Sequence, residues 1–185
     1  MMQDVLKESQ DKMQKAVETQ KKNFAAVRTG RASPALLDHI NVSYYGADVS
    51  LKQLATISVP DPRMLMITPF DKNSAADIEK AILKSDLGVN PSRDSGVIRL
   101  RLPEPSEERR KDLVKVIKKE AEEGKVAIRN VRRDAIENLK KKKSAKEITE
   151  DDEKTLDKKV QDLTNKFTAE IGKLLAEKEK EIMEV

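Results

Sequence analysis

SEERRKDLVKVIKKEAEEGKVAIRNVRRDAIENLKKKK, residues 106–143, runs for 38 positions without a proline. Within it Leu113, Ile117, Glu120, Gly124, Ala127, Val131, Ala135 and Asn138 recur at steps of three and four, with charges between them. That spacing lines one side of an α-helix, and at the standard rise such a helix is about 55 Å long. Its start is well marked. Ser106 can cap the free amides, Pro105 precedes it, and Glu107 and Glu108 complement the positive end of the helix dipole.

Two further segments carry the same signature. Met2, Leu6, Ser9, Met13, Ala16, Gln20, Phe24 and Val27 form a stripe near the beginning of the chain, and Leu156, Val160, Leu163, Phe167, Ile171, Leu174 and Ile182 form one near its end. Thr149-Glu150-Asp151-Asp152 resembles a capping box with Asp in the place of Glu. A single apolar stripe in water stays exposed, so three stripes of matching length predict an elongated three-helix bundle with coiled-coil-like packing. Independent solvated helices or an extended coiled-coil dimer share the spacing.

All seven prolines, at positions 34, 60, 62, 69, 91, 103 and 105, lie between the first and second helices. Residues 31–103 hold 9 Lys/Arg and 8 Asp/Glu, whereas the remainder holds 28 and 25. The chain therefore reads as residues 1–30 plus 104–185, a charged helical scaffold, with residues 31–103 inserted as a second domain. In the insertion, residues 40–45, 55–59, 64–67 and 97–102 are short apolar or alternating runs bounded by Gly, Pro and Asp, which predicts strands. Residues 74–85 predict a short helix, capped by Asn73 or Ser74 and stopped at Leu87-Gly88. The fold class is α+β: a helical bundle with a small inserted β/α/β domain. The crossings pass through Thr29-Gly30-Arg31 and Pro103-Glu104-Pro105, where glycine adds backbone freedom and proline limits it. A hinge and a rigid joint both fit.

Composition narrows the function. The 185 residues include no Cys and one histidine, His39, so disulfides, thiolate metal centres and thiol nucleophiles are excluded and no histidine-based metal cluster can form. No phosphate-cradling glycine loop, nucleophile elbow or HExxH helix is present. The reading is of a non-enzyme with no catalytic residues, no metal and no cofactor. The N-terminus enters a charged periodic segment directly, without a signal-peptide core, and a cytoplasmic location with no membrane partner is expected.

The second long helix holds the most informative pattern. At about 100° per residue, Lys125, Arg129, Arg132 and Arg133 fall on one side, away from Ile128, Val131 and Ala135, and Lys111, Lys118 and Lys140 extend it, with Glu122 and Ile136 as exceptions. Guanidinium groups bind phosphate bidentately, and counterion release favours association, so a basic ridge of this length fits a nucleic-acid backbone. Charged helices also solvate their outer faces, and spacing alone leaves both readings open. An apolar seam that takes a partner helix is a third; steep salt dependence separates phosphate contacts from it.

Arg28-Thr29-Gly30-Arg31-Ala32-Ser33-Pro34, Tyr44-Tyr45-Gly46, Ser85-Asp86-Leu87-Gly88, Glu107-Glu108-Arg109-Arg110-Lys111 and Arg129-Asn130-Val131-Arg132-Arg133-Asp134 occur in one order along the chain. In these motifs the chain resembles the bacterial ribosome recycling factor family over its whole length. The resemblance implies an L-shaped monomer that binds the ribosome after termination. With elongation factor G it would promote splitting into subunits, GTP being used by that factor and not bound by this chain. It further implies that Arg129, Arg132 and Arg133, with Lys125, lie against large-subunit ribosomal RNA, and that Thr29, Gly30, Arg31, Pro103, Glu104 and Pro105 form a hinge. Arg28 and Arg31 sit at this elbow, where contact with RNA and anchoring by local carboxylates are equally compatible.

Overall fold

A computed structural model describes residues 2–184. The chain divides into two compact units, one comprising residues up to Arg28 together with Glu107–Glu184, the other Thr29–Ser106.

The first unit contains helices α1 (Met2–Ala26), α4 (Glu107–Ser144) and α5 (Glu150–Met183). Met13, Val17, Phe24, Leu113, Ile117, Ala121, Ile128, Phe167 and Ile171 build the larger core, and Val5, Ala135, Leu139, Ile148, Leu156 and Val160 a second cluster. Burial of the start of α1 against the end of α4 makes these two antiparallel. The ion pairs Lys143–Glu153 and Lys118–Glu179 set α4 antiparallel to α5 along its length.

The helix stripes differ in part from the spacing argument. On α4, Ala127 and Asn138 are exposed and Glu120 and Gly124 half-buried, while Ala121, Ile128 and Leu139 are buried in their place. The helix packs against α1 on one side and α5 on the other, so its inward arc is broader than a single three-four seam and is centred further round. Val5 and Val17 join the α1 face for the same reason, Val27 lies beyond the helix end, and the side chain of Met2 lies outside the described residues.

The α4–α5 turn is a Schellman motif: Glu147 N–H donates to Lys142 O and Lys146 N–H to Lys143 O, both at 2.9 Å. Lys146 takes the left-handed position, φ +59°, usually held by glycine. At the start of α5, Asp152 N–H donates to Thr149 Oγ1 at 3.1 Å and Thr149 N–H to Asp152 Oδ2 at 2.9 Å, the expected capping box.

The second unit carries β1 (Asn41–Tyr44) paired with β2 (Ala47–Ser50), a short helix α2 (Leu51–Leu54), and a sheet of β3 (Ala55–Asp61), β4 (Met64–Pro69), β5 (Pro91–Asp94) and β6 (Val97–Arg101) in the order β3-β4-β6-β5, all antiparallel. In β4 and β6 every second residue is buried, and the register sets Leu65 opposite Leu100 and Ile67 opposite Ile98. Helix α3 (Ala75–Lys84) adds Ile78 and Ile82 to this core.

Strands β2 and β5 are additions to the elements expected from sequence, and the cap of α3 is a correction. Neither Asn73 nor Ser74 caps that helix through its side chain. Asp71 does the local capping, its Oδ1 accepting from Asn73 N at 2.9 Å, while Ser74 Oγ donates to Asp71 O at 2.6 Å. An additional 3-10 turn, Lys72–Ser74, occupies the expected cap position.

Candidate nucleic-acid interface

Helix α4 presents Lys125, Arg129, Arg132 and Arg133 on one stretch, with a shallow groove of about 410 Å³ between Arg129, Arg132, Arg133, Ile136 and Lys140. A continuous helix holds these groups at fixed rise, so their spacing is set by the backbone. Ile136, half-buried, supplies an apolar floor between the cations.

The four cations are not equivalent. Arg129 is exposed and donates from Nη2 to Glu122 Oε1 at 2.9 Å, seven residues earlier on the same helix. Arg133 is exposed, and Lys125 half-buried. Arg132, which the angular argument turns away from the core, is half-buried, and its Nε is enclosed without a hydrogen-bond partner. The same breadth of the inward arc explains this: Arg132 lies next to Ile128 and Leu139 in projection, at the margin of the packed face. A guanidinium with its stem fixed at a core margin and its head toward a groove is held in place before any ligand arrives.

Carboxylates divide the basic ridge. Lys111 pairs with Glu107 at 2.8 Å, Lys118 with Glu179 at 3.6 Å, Lys141 with Glu137 at 3.0 Å and Lys142 with Glu147 at 3.2 Å; Lys143 pairs with the buried Glu153. Among the described residues, no ion pair engages Lys125, Arg132, Arg133 or Lys140. The Lys140–Lys143 run is thus largely neutralised, and the open positive charge is concentrated between Lys125 and Lys140. Glu137 is held below the usual carboxylate range, chiefly by its hydrogen bond from Lys141.

Arg28 ends the first unit and Arg31 lies in the second; both are exposed, and among the described residues neither forms an ion pair. Thr29 is buried. Within the second unit the two connecting segments converge on one turn: Ala32 N–H donates to Pro62 O at 2.7 Å, Leu102 N–H to Arg63 O at 2.8 Å, and Arg63 pairs with Glu104. Gly30 has φ +80°, and Pro105 covers it. Pro103 is exposed.

His39 is exposed, and among the described residues no group of three His, Cys, Asp or Glu could hold a metal ion. No helix among the described residues is long and apolar enough to cross a membrane. Glu107 and Glu179, which neutralise part of the ridge, are not evident from the ridge's own spacing; Glu107 is legible as an i, i+4 partner, Glu179 only through the fold.

A family model described as ribosome recycling factor matches residues 20–183. The chain is 54% identical to the ribosome-recycling factors of Halalkalibacterium halodurans and Carboxydothermus hydrogenoformans and 55% identical to that of Bacillus thuringiensis, in each case over the full length of both chains. A solution structure of the ribosome recycling factor superposes with a TM-score of 0.69 at 45% identity, covering 100% of this chain and 98% of the other. A chain from models for the T. thermophilus ribosome recycling factor and the E. coli elongation factor G bound to the E. coli post-termination complex gives 0.62 at 45% identity and 98% coverage of both chains. The helical unit with its inserted antiparallel α+β unit is thus a translation-factor fold. The chain belongs to the ribosome recycling factor family.

Proposed function

We propose that this chain binds the post-termination ribosome and, with elongation factor G and GTP hydrolysed by that factor, promotes its separation into subunits and release from mRNA. It works in the cytoplasm as a monomer and carries out no covalent chemistry of its own. The observation that carries the reading is the set of cations left open on α4, Lys125, Arg132, Arg133 and Lys140, in a chain whose relatives carry the recycling name at 54–55% identity.

In this reading α4 lies along large-subunit ribosomal RNA. Arg132 and Arg133 bind phosphates, Arg129 joins them, and Lys125 extends the contact. The enclosed Nε of Arg132 supports it as the principal contact, since a fixed guanidinium loses less freedom on binding than a solvated one. Arg28 and Arg31, exposed and without ion pairs among the described residues, supply further RNA contacts at the connection.

The functional division is residues 1–30 with 104–185 against 31–103. Thr29, Gly30, Arg31, Pro103, Glu104 and Pro105 form the hinge about which elongation factor G moves the inserted domain, and the bundle then acts as a wedge on the bridges joining the subunits. The glycine with a positive φ and the two prolines support a joint of restricted range.

Ribosome binding measured against ionic strength tests the interface. Affinity should fall steeply with salt, and Arg133→Ala should flatten the slope of log affinity against log salt by about 0.7–0.9. An unchanged slope would remove this face from the RNA contact.

A further inference from the structure

Between Lys111 and Lys140, within about 60° of the ridge line, Glu122 is the one carboxylate in the sequence. It has Lys118 four residues before it and Lys125 three residues after it. Its Oε1 instead accepts from Arg129 Nη2 at 2.9 Å, two helical turns away. The side chains are 56% and 58% exposed, so the pair is open to exchange with a ligand in solution.

A carboxylate on a guanidinium occupies the same donors that a phosphate would take. The pair also draws the Arg129 side chain along the helix axis, toward Lys125, instead of leaving it to sample solvent. We infer that Glu122 is a positioning residue that holds Arg129 and occupies it until a correctly placed RNA phosphate takes its place. The inference rests on the reading of α4 as a nucleic-acid face and adds a selectivity element to it.

The consequence is a binding threshold. An arbitrary RNA must displace Glu122 and tolerate a freed carboxylate close to its own phosphates, which weakens incidental binding. A surface that presents a phosphate to Arg129 while leaving Glu122 in water escapes most of this cost. The element therefore lowers affinity for arbitrary RNA more than for the ribosome.

The test compares Glu122→Gln, Arg129→Ala, the double variant and Arg132→Ala in equilibrium binding to post-termination ribosomes and to a non-ribosomal RNA duplex. Glu122→Gln should bind the duplex about three- to tenfold tighter, with a salt slope steeper by about 0.7–0.9, and should gain less on the ribosome. In the Arg129→Ala background the gain should vanish. Glu122→Asp, which keeps the charge and shortens the reach, should reproduce part of the gain. An equal gain with and without Arg129 would reduce Glu122 to a distant negative charge and overturn the inference, as would no gain at all. If Arg132→Ala also leaves ribosome binding unchanged, the nucleic-acid reading itself fails, and the two failures are separable.

Discussion

Pro105 stands where the side chain of any residue other than glycine at position 30 would begin: a Cβ there would lie 3.0 Å from Pro105 Cγ, at a backbone φ of +80°. Gly30→Ala therefore meets both a left-handed backbone and a proline ring that cannot rotate away. It should destabilise the protein by about 1–2 kcal/mol for the backbone alone, with the close approach adding to it. Gly46 shares the φ of +80° but has nothing within 4 Å of the added carbon. Denaturant unfolding should rank Gly30→Ala as the more harmful of the two; equal effects would mean that Pro105 moves freely.

Gly124 and Gly172 make a second matched pair, both inside helices. A Cβ at Gly172 meets nothing within 4 Å, whereas at Gly124 it runs into Gln20 Oε1 and lies 3.2 Å from Ile171 Cδ1. Gly172→Ala should stabilise by about 1 kcal/mol through helix propensity. Gly124→Ala should fall well short of that, because Gln20 is buried and must shift. In a Gln20→Ala background the two substitutions should converge; a persistent gap would assign the conflict to Ile171.

Phe167 is 1% exposed in the bundle core, with Lys166 Nζ 5.5 Å from its ring centre. Phe167→Ala should cost about 3–5 kcal/mol of unfolding free energy. Leu163 is half-buried beside a groove shared with Leu6, and Leu163→Ala should cost less, toward 2 kcal/mol. A neutral Phe167→Ala would contradict the packing described.

Thr149 and Asp152 cap α5 reciprocally, and Thr149→Ala should cost about 1 kcal/mol. The Asp152 carboxyl is lowered, first by the hydrogen bond it receives from the Thr149 backbone N–H and then by the Thr149 side chain. A lowered folded-state pKa gives stability that is complete above the ordinary aspartate pKa, about 4, and is lost as pH falls through the lowered value. Asp152→Asn should remove that part of the acid sensitivity, read from urea unfolding at pH 2 to 6. An unchanged acid profile would argue against the carboxylate's part in the cap.

The long helices were legible because each keeps a three-four stripe over seven or more turns, a signal that local exceptions cannot erase. What the stripe does not encode is how many neighbours a helix has, which is why the spacing sets Ala127 and Asn138 on the inward face of α4 and leaves Leu139 off it. Strands β2 and β5 are weakly encoded for a different reason. Pro91-Ser92-Arg93-Asp94 lacks apolar alternation, and Ala47-Asp48-Val49-Ser50 alternates over only four residues without alternating burial, as suits short strands at sheet edges. Their turns carry the stronger signal: Tyr45-Gly46 and Ser95-Gly96 both have positive φ at each residue, the geometry of a two-residue hairpin. At the interface, the sequence pattern grouped the cations by angle. It could not separate Arg132, at the margin of the core, from Arg129, paired to Glu122, since both depend on side-chain packing.

The most direct test of the central claim is light scattering from post-termination ribosomes mixed with this protein, elongation factor G and GTP, with Arg132→Ala in parallel. The account predicts a fall in scattering that requires every component and is lost or strongly slowed in the variant, whose ribosome binding is weaker by about 1–3 kcal/mol and whose melting is unchanged. Full splitting activity in Arg132→Ala, or tight ribosome binding by the intact protein with no splitting at all, would contradict it.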